Sequence, residues 1–153
     1  MITRQDVLIA QEEWGTGIVK IGSAMPERRT CEQETERLID SLYAFERGRV
    51  LFKPTKAADI QFRFTKAGAT SYFIAGNEDY PEDHGFALNP WLRVRFENAS
   101  MILEETRAFA MGNYYFTNPN GNEIRVEYTF GYTQAENGNL KIDLHHSSLP
   151  YTT

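Results

Sequence analysis

The sequence predicts an α+β fold in which N-terminal helices pack in a strongly curved, mostly antiparallel sheet, leaving a cone with a central pocket. Three observations predict it. Apolar residues recur at helical spacing through the first third of the chain. From Ile102 to Leu149 the chain is rich in β-branched and aromatic residues that alternate with polar ones. Within that stretch Asn118-Pro119-Asn120-Gly121-Asn122 and Glu136-Asn137-Gly138-Asn139 are turn signals that divide it into hairpin-connected runs.

The elements follow in chain order. Thr3 and Asp6 have the spacing of a capping box. Val7, Ala10, Trp14, Ile18 and Ile21 then line one helix face, although Gly15 and Gly17 weaken the helix. Gly22-Ser23-Ala24-Met25-Pro26 ends it. A second helix is predicted from about Glu27 to Glu46, with Leu38, Leu42 and Phe45 on its buried face and Gly48 placed to stop it. Val50-Leu51-Phe52-Lys53 reads as a short strand ended by Pro54. Ala67–Ala75 suits a short helix or a strand equally, and Asp79–Phe86 is an acidic loop.

Strands are predicted over Arg107–Thr117, Glu123–Thr133 and Leu140–Leu149, and their short turns make an antiparallel meander. In the middle strand Ile124, Val126, Tyr128, Phe130 and Tyr132 share one face, with Arg125, Glu127 and Thr129 on the other. In the last, Leu140, Ile142 and Leu144 alternate with Lys141, Asp143 and His145. The helices must cover one face of this sheet, and a bent sheet around a helix leaves a pocket at its mouth. No linker or low-complexity tract interrupts the chain, so one domain over residues 1–153 is expected.

Composition narrows the function. A hydrophobic fraction of 41% and a charged fraction of 24% are ordinary for a soluble globular protein. A net charge of −5 argues against a nucleic-acid binder, which needs a basic face. Arg28 and Arg29 are offset by Glu32, Glu34 and Glu36. The single cysteine, Cys31, excludes an intramolecular disulfide. No apolar stretch is long enough for a signal peptide or a bilayer span, so no membrane association and a cytoplasmic location are expected.

Only three histidines exist, His84, His145 and His146. A three-histidine zinc site would need all of them, yet neighbours in a strand point to opposite faces. A mixed site with Asp83, Asp143 or Glu127 is conceivable, but no His-x-x-x-His or Cys-x-x-Cys spacing occurs. In Leu144-His145-His146-Ser147-Ser148-Leu149-Pro150-Tyr151 each strand face receives one imidazole and one hydroxyl, His145 with Ser147 and His146 with Ser148. A pair of that kind can hydrogen-bond a small anion, or it can be a polar strand end whose hydroxyls pair with backbone. No Gly-x-Ser-x-Gly elbow marks a serine nucleophile. Most of the aromatic residues must be core, but a tyrosine lining a pocket can donate to an oxyanion; Tyr72, Tyr114, Tyr115 and Tyr128 are candidates on pattern alone, and periodicity does not choose among them.

Lys53-Pro54-Thr55, Ser71-Tyr72-Phe73, Glu82-Asp83-His84-Gly85-Phe86-Ala87, Val126-Glu127-Tyr128-Thr129-Phe130-Gly131-Tyr132 and the terminal His145-His146-Ser147-Ser148-Leu149-Pro150-Tyr151 together resemble the iota-class carbonic anhydrases. The resemblance covers most of the chain from Val50 onward. It implies the cone fold shared with nuclear transport factor two, ketosteroid isomerase and the association domain of calmodulin-dependent kinase. It also implies a homodimer formed through the sheet. The implied activity is reversible hydration of carbon dioxide to bicarbonate; the family has metal-free and metal-using members, and the shortage of histidines here favours the metal-free kind, with no cofactor expected. The family's threonine, tyrosine, histidine and serine map onto Thr55, Tyr72, His145 and Ser147, which should surround a space large enough for bicarbonate. His146 and Ser148 should point away.

Without a metal to acidify it, water must lose a proton as it attacks carbon dioxide. His145 could take that proton directly or through water, while the hydroxyls of Thr55, Tyr72 and Ser147 polarise the substrate and hold the product. Two other readings fit the same fold. An isomerase or hydrolase of a small apolar substrate would need a pocket carboxylate as base, for example Asp59 or Glu127. A non-enzymatic association domain would have an apolar outer face and no convergent polar pocket.

Overall fold

Thr3 caps the first helix, α1 (Arg4–Ser23): its hydroxyl accepts the Asp6 amide at 3.2 Å, and the Asp6 carboxylate accepts the Thr3 amide at 2.8 Å. The computed structural model describes all residues, Met1–Thr153. Val7, Trp14, Ile18 and Ile21 are buried along one stripe of α1. Gly15 has a positive role here. A Cβ at that position would lie 3.2 Å from Val94 Cβ, so the missing side chain lets the helix lie close on the sheet.

The second helix, α2 (Arg28–Leu42), is shorter than predicted. Gly48 does not end it. Tyr43 turns to extended geometry, and the Ala44 amide donates to the Ile142 carbonyl at 2.9 Å. Pairing with the sheet therefore outcompetes another helical turn. Only a short 3₁₀ turn at Phe45–Arg47 follows. The ambiguous segment is a helix, α3 (Lys66–Ile74), N-capped by the Thr65 hydroxyl.

The sheet has five strands: β1 (Leu51–Lys53), β2 (Arg93–Leu103), β3 (Arg107–Thr117), β4 (Glu123–Gln134) and β5 (Leu140–Ser148), in the order β1-β5-β4-β3-β2. All neighbours are antiparallel except β1 and β5. β2 is an element the sequence did not announce. Its register slips between Asn98 and Ser100, leaving Ala99 extra, and that interruption hides its alternation. The sheet is not closed, and the three helices with their mixed sheet form the α+β fold expected.

A second bulge corrects the reading of the last strand. Gly131 pairs with Leu144 and Tyr132 with Ile142, so Asp143 has no partner of its own. Residues before it keep Leu140 and Ile142 inside. Beyond it the inward set is His145 and Ser147, both buried, rather than Leu144. Plain alternation had placed His145 with Lys141 and Asp143; the extra residue moves it to the core face. The bulge is pinned from two strands. Arg107 of β3 donates both guanidinium arms to the Asp143 carboxylate at 2.7 and 2.9 Å. Gly131 of β4 lies opposite, where a Cβ would come within 2.9 Å of Leu144 Cβ.

Candidate active site

β5 delivers His145 and Ser147 to the interior, and β1 runs beside it in parallel, placing Phe52 against His145. The chain leaves β1 through Pro54, which fixes the backbone entering Thr55. The Thr55 and Ser147 hydroxyls are thereby 2.6 Å apart. Tyr114, from β3, extends the set: its hydroxyl lies 2.5 Å from Ser147 Oγ and 3.1 Å from His145 Nε2. On the far side of the ring the Tyr43 hydroxyl is 2.9 Å from His145 Nδ1, and the Trp14 indole N–H donates to Tyr43 at 2.9 Å. The result is a continuous buried chain from Trp14 of α1 through Tyr43, His145, Tyr114 and Ser147 to Thr55.

Tyr72 reaches the same space from α3. Its hydroxyl accepts the Lys56 amide at 3.1 Å, which leaves its own proton available. Burial pushes its pKa up, and the Lys56 amide and the Thr55 hydroxyl pull it part of the way back. Thr55, Tyr72, Tyr114, His145 and Ser147 line one cavity of about 10 Å³, walled by Trp14, Phe52 and Phe86. That is about the room one water needs, and less than bicarbonate requires. The space differs from the expectation in this respect. An outer cleft of about 400 Å³, containing Lys56 and His84, shares Tyr72 and Phe86 with it. These two rings stack at 5.6 Å and separate the cavity from the cleft.

The ring of His145 is enclosed by aromatic faces, Phe130 at 4.1 Å and Phe52 at 4.8 Å between centroids. Burial holds its pKa well below the ordinary histidine value, and His146 nearby adds to the effect. Both ring nitrogens already meet tyrosine hydroxyls. A direct proton transfer from substrate water to His145 therefore has no free nitrogen in this geometry. Burial likewise drives the Tyr43 and Tyr114 hydroxyls up, so both keep their protons.

The other candidates lie elsewhere. His146 is exposed on the outer face, and the Ser148 hydroxyl donates to Glu127 at 3.2 Å there. Tyr128 donates to Asn98 Oδ1 at 2.5 Å, and Tyr115 lies under the Arg95 guanidinium at 3.9 Å. Asp59 is an exposed loop residue. Neither carboxylate suggested as an isomerase base, Asp59 or Glu127, lines the cavity. No group of three or more His, Cys, Asp or Glu side chains is placed to hold a metal ion. No helix is long and apolar enough to cross a membrane.

Sequence reasoning missed what holds the Thr55 loop. The Glu82 carboxylate accepts the amides of Ala58, Asp59 and Ile60 at 2.7 to 3.2 Å. These bonds, led by that of Ala58, lower its pKa. Asp83 takes a two-armed bond at 2.8 Å from Arg63, which is fully buried, and accepts the Ser71 hydroxyl at 2.6 Å. Ser71 precedes Tyr72, so this acidic pair clamps the loop carrying Thr55 to the helix carrying Tyr72. The signal available was Glu82-Asp83 beside an otherwise isolated Arg63.

Residues 5–149 match the family described as metal-independent carbonic anhydrase. A metal-independent carbonic anhydrase from Nostoc sp. (strain PCC 7120) is 39% identical over 153 residues, covering 98% of this chain and 75% of that protein. The crystal structure of the iota-carbonic anhydrase from a cyanobacterium, complexed with bicarbonate, is 38% identical. It superposes with a TM-score of 0.96, covering 99% of this chain and 94% of the other. A putative calcium/calmodulin-dependent protein kinase II association domain from Xanthomonas campestris shares the fold at 22% identity and a TM-score of 0.56, covering 90% of this chain and 83% of that one. With a match over nearly its whole length and a fold that superposes throughout, the chain belongs to the metal-independent carbonic anhydrase family.

Proposed function

We propose that the protein hydrates carbon dioxide reversibly to bicarbonate without a metal, and that Thr55, Tyr72, His145 and Ser147, joined by Tyr114, form its site. The observation that carries this reading is the convergence of hydroxyl donors from the loop after β1 and from α3, β3 and β5 on one enclosed cavity. Carbon dioxide is apolar and passes an aromatic wall readily, whereas the charge that develops on its oxygens needs aimed donors. Tyr72 and Thr55 are those donors, and Ser147 with Tyr114 holds Thr55 in place. One such donor is worth about 10²–10³-fold in turnover. Substrate enters from the outer cleft when Tyr72 and Phe86 part, since the cavity itself has room for about one water.

The test is a stopped-flow hydration assay on exhaustively chelated, metal-analysed protein. Activity should persist, and Tyr72→Phe should lower turnover about 10²-fold with little change in stability, whereas Ser147→Ala should lower turnover similarly and also cost about 1–3 kcal/mol, because the buried Tyr114 hydroxyl loses its acceptor. Inactive protein that zinc or manganese restores would overturn the metal-free reading. Full activity in both variants would remove the site.

The protein is also proposed to act as a cytoplasmic homodimer joined through the outer sheet face. A hollow there is lined by Ala99, Met111, Leu144 and His146, and Met111 is 54% exposed. The lone cysteine, Cys31, is buried and unpaired, which suits a reducing compartment. Light scattering at micromolar concentration should give twice the chain mass; a monomer contradicts the dimer.

A further inference from the structure

We propose that Tyr43 is a positioning residue which fixes the tautomer of His145 and thereby the direction of the whole hydrogen-bond chain. The inference rests on the carbonic anhydrase reading of the cavity and deepens it.

An indole N–H can only donate, so the Trp14–Tyr43 contact at 2.9 Å uses the tyrosine oxygen as acceptor. The Tyr43 hydroxyl proton must go elsewhere, and its other polar contact is His145 Nδ1 at 2.9 Å. A hydroxyl proton buried without an acceptor would be costly. Tyr43 therefore donates to Nδ1, and the neutral ring carries its proton on Nε2. Nε2–H then donates to the Tyr114 oxygen at 3.1 Å. Tyr114 in turn donates to Ser147 at 2.5 Å, and Ser147 to Thr55 at 2.6 Å. Every donor runs one way, from Trp14 outward, and the last proton is that of Thr55, which lies at the cavity beside the Tyr72 hydroxyl.

This direction decides the chemistry available. His145 is an orienting donor and not a base, because its accepting nitrogen is already filled by Tyr43. The proton of the attacking water is instead passed on by a hydroxyl. As the water oxygen bonds to carbon, the Thr55 oxygen accepts one water proton and its own proton moves to a carbon dioxide oxygen. One C–O bond forms, one C=O π bond opens, and the product is carbonic acid, which loses its proton to solvent as it leaves as bicarbonate. Atoms and charge balance, and no residue changes its ionisation.

Nitrogen-15 NMR of histidine-labelled protein tests the proposal, with His84→Gln and His146→Gln variants assigning the signals. In the wild type the proton of His145 should reside on Nε2, with Nδ1 unprotonated. In Tyr43→Phe an Nδ1–H population should appear, and carbon dioxide hydration should fall about tenfold, less than the loss of about 10²–10³-fold that follows removal of a donor aimed at the substrate itself. An Nδ1–H ring in the wild type overturns the proposal, and so does a Tyr43→Phe protein with wild-type tautomer and wild-type turnover. The wild-type measurement needs no variant to fold. It also stands apart from the activity: a protein with the expected tautomer and no hydration activity would defeat the functional reading while leaving the assignment of Tyr43 to the tautomer intact.

Discussion

Mild acid should destabilise this fold through one buried ring. His145 is held neutral in the folded protein, with burial the main cause. In the unfolded chain the same imidazole takes a proton near pH 6.5. Above that value neither state binds the proton, and the full contribution to stability is present. Below it the unfolded chain gains a proton that the folded protein refuses, so stability falls as pH falls. The loss is about 1.4 kcal/mol for each unit below about 6.5, continuing until the folded ring itself protonates. Urea unfolding followed by tryptophan fluorescence, from about pH 8 to about pH 5, measures it. His145→Gln supplies the comparison, because an amide bridges the same two hydroxyls and does not titrate. His84 and His146 are common to both proteins, so the difference in slope isolates His145. Parallel pH dependences would refute the reasoning.

Three further outcomes are expected. Tyr114→Phe leaves Nε2–H and the Ser147 hydroxyl each short of a partner, so it should cost about 1–3 kcal/mol and lower turnover about 10²-fold; unchanged unfolding and hydration rates would contradict it. Gly131→Ala should destabilise by about 1–3 kcal/mol, read from urea midpoints, because the new Cβ meets a backbone-fixed Leu144 Cβ at 2.9 Å. Glu82→Gln removes one of the two oxygens that accept the amides of Ala58, Asp59 and Ile60, so those amides should exchange hydrogen faster at neutral pH. Since these bonds depress the Glu82 pKa, their stabilisation in the wild type is present above the ordinary glutamate value of about 4.3. It is lost as pH falls through the lower folded value, and exchange measured against pH should show that loss.

Some of this was legible in the residues and some was not, for physical reasons. α1 announced itself through a capping box and an apolar stripe, both local features. The β3–β5 meander did so through its turns and its period. β2 escaped because its apolar face shows only Val94 and Phe96 before Asn98 and the bulge at Ala99 break the alternation. The end of α2 was misread because the Ile142 carbonyl, about a hundred residues away, captures the Ala44 amide. His145 and Ser147 could be paired by spacing alone. Period could name Tyr114 only as one of four tyrosines. Trp14 read as core and Tyr43 was not singled out, since nothing in a helical stripe shows that an indole N–H and a phenol meet an imidazole.

The bulge at Asp143 makes the site a matter of parity. Ile142 and His145 lie three positions apart, an odd separation, yet face the same way. If the strand were ironed flat with its sequence unchanged, His146 and Ser148 would turn inward. They are chemically the same pair, displaced by one step. Deleting Asp143 restores an even separation, and so does inserting one residue beside it; a regular ladder would then present His145 and Ser147 with no bulge at all. Asp143 therefore supplies arithmetic where its neighbours supply chemistry. The chain holds two versions of one message, and a single unpaired residue chooses which is read inside.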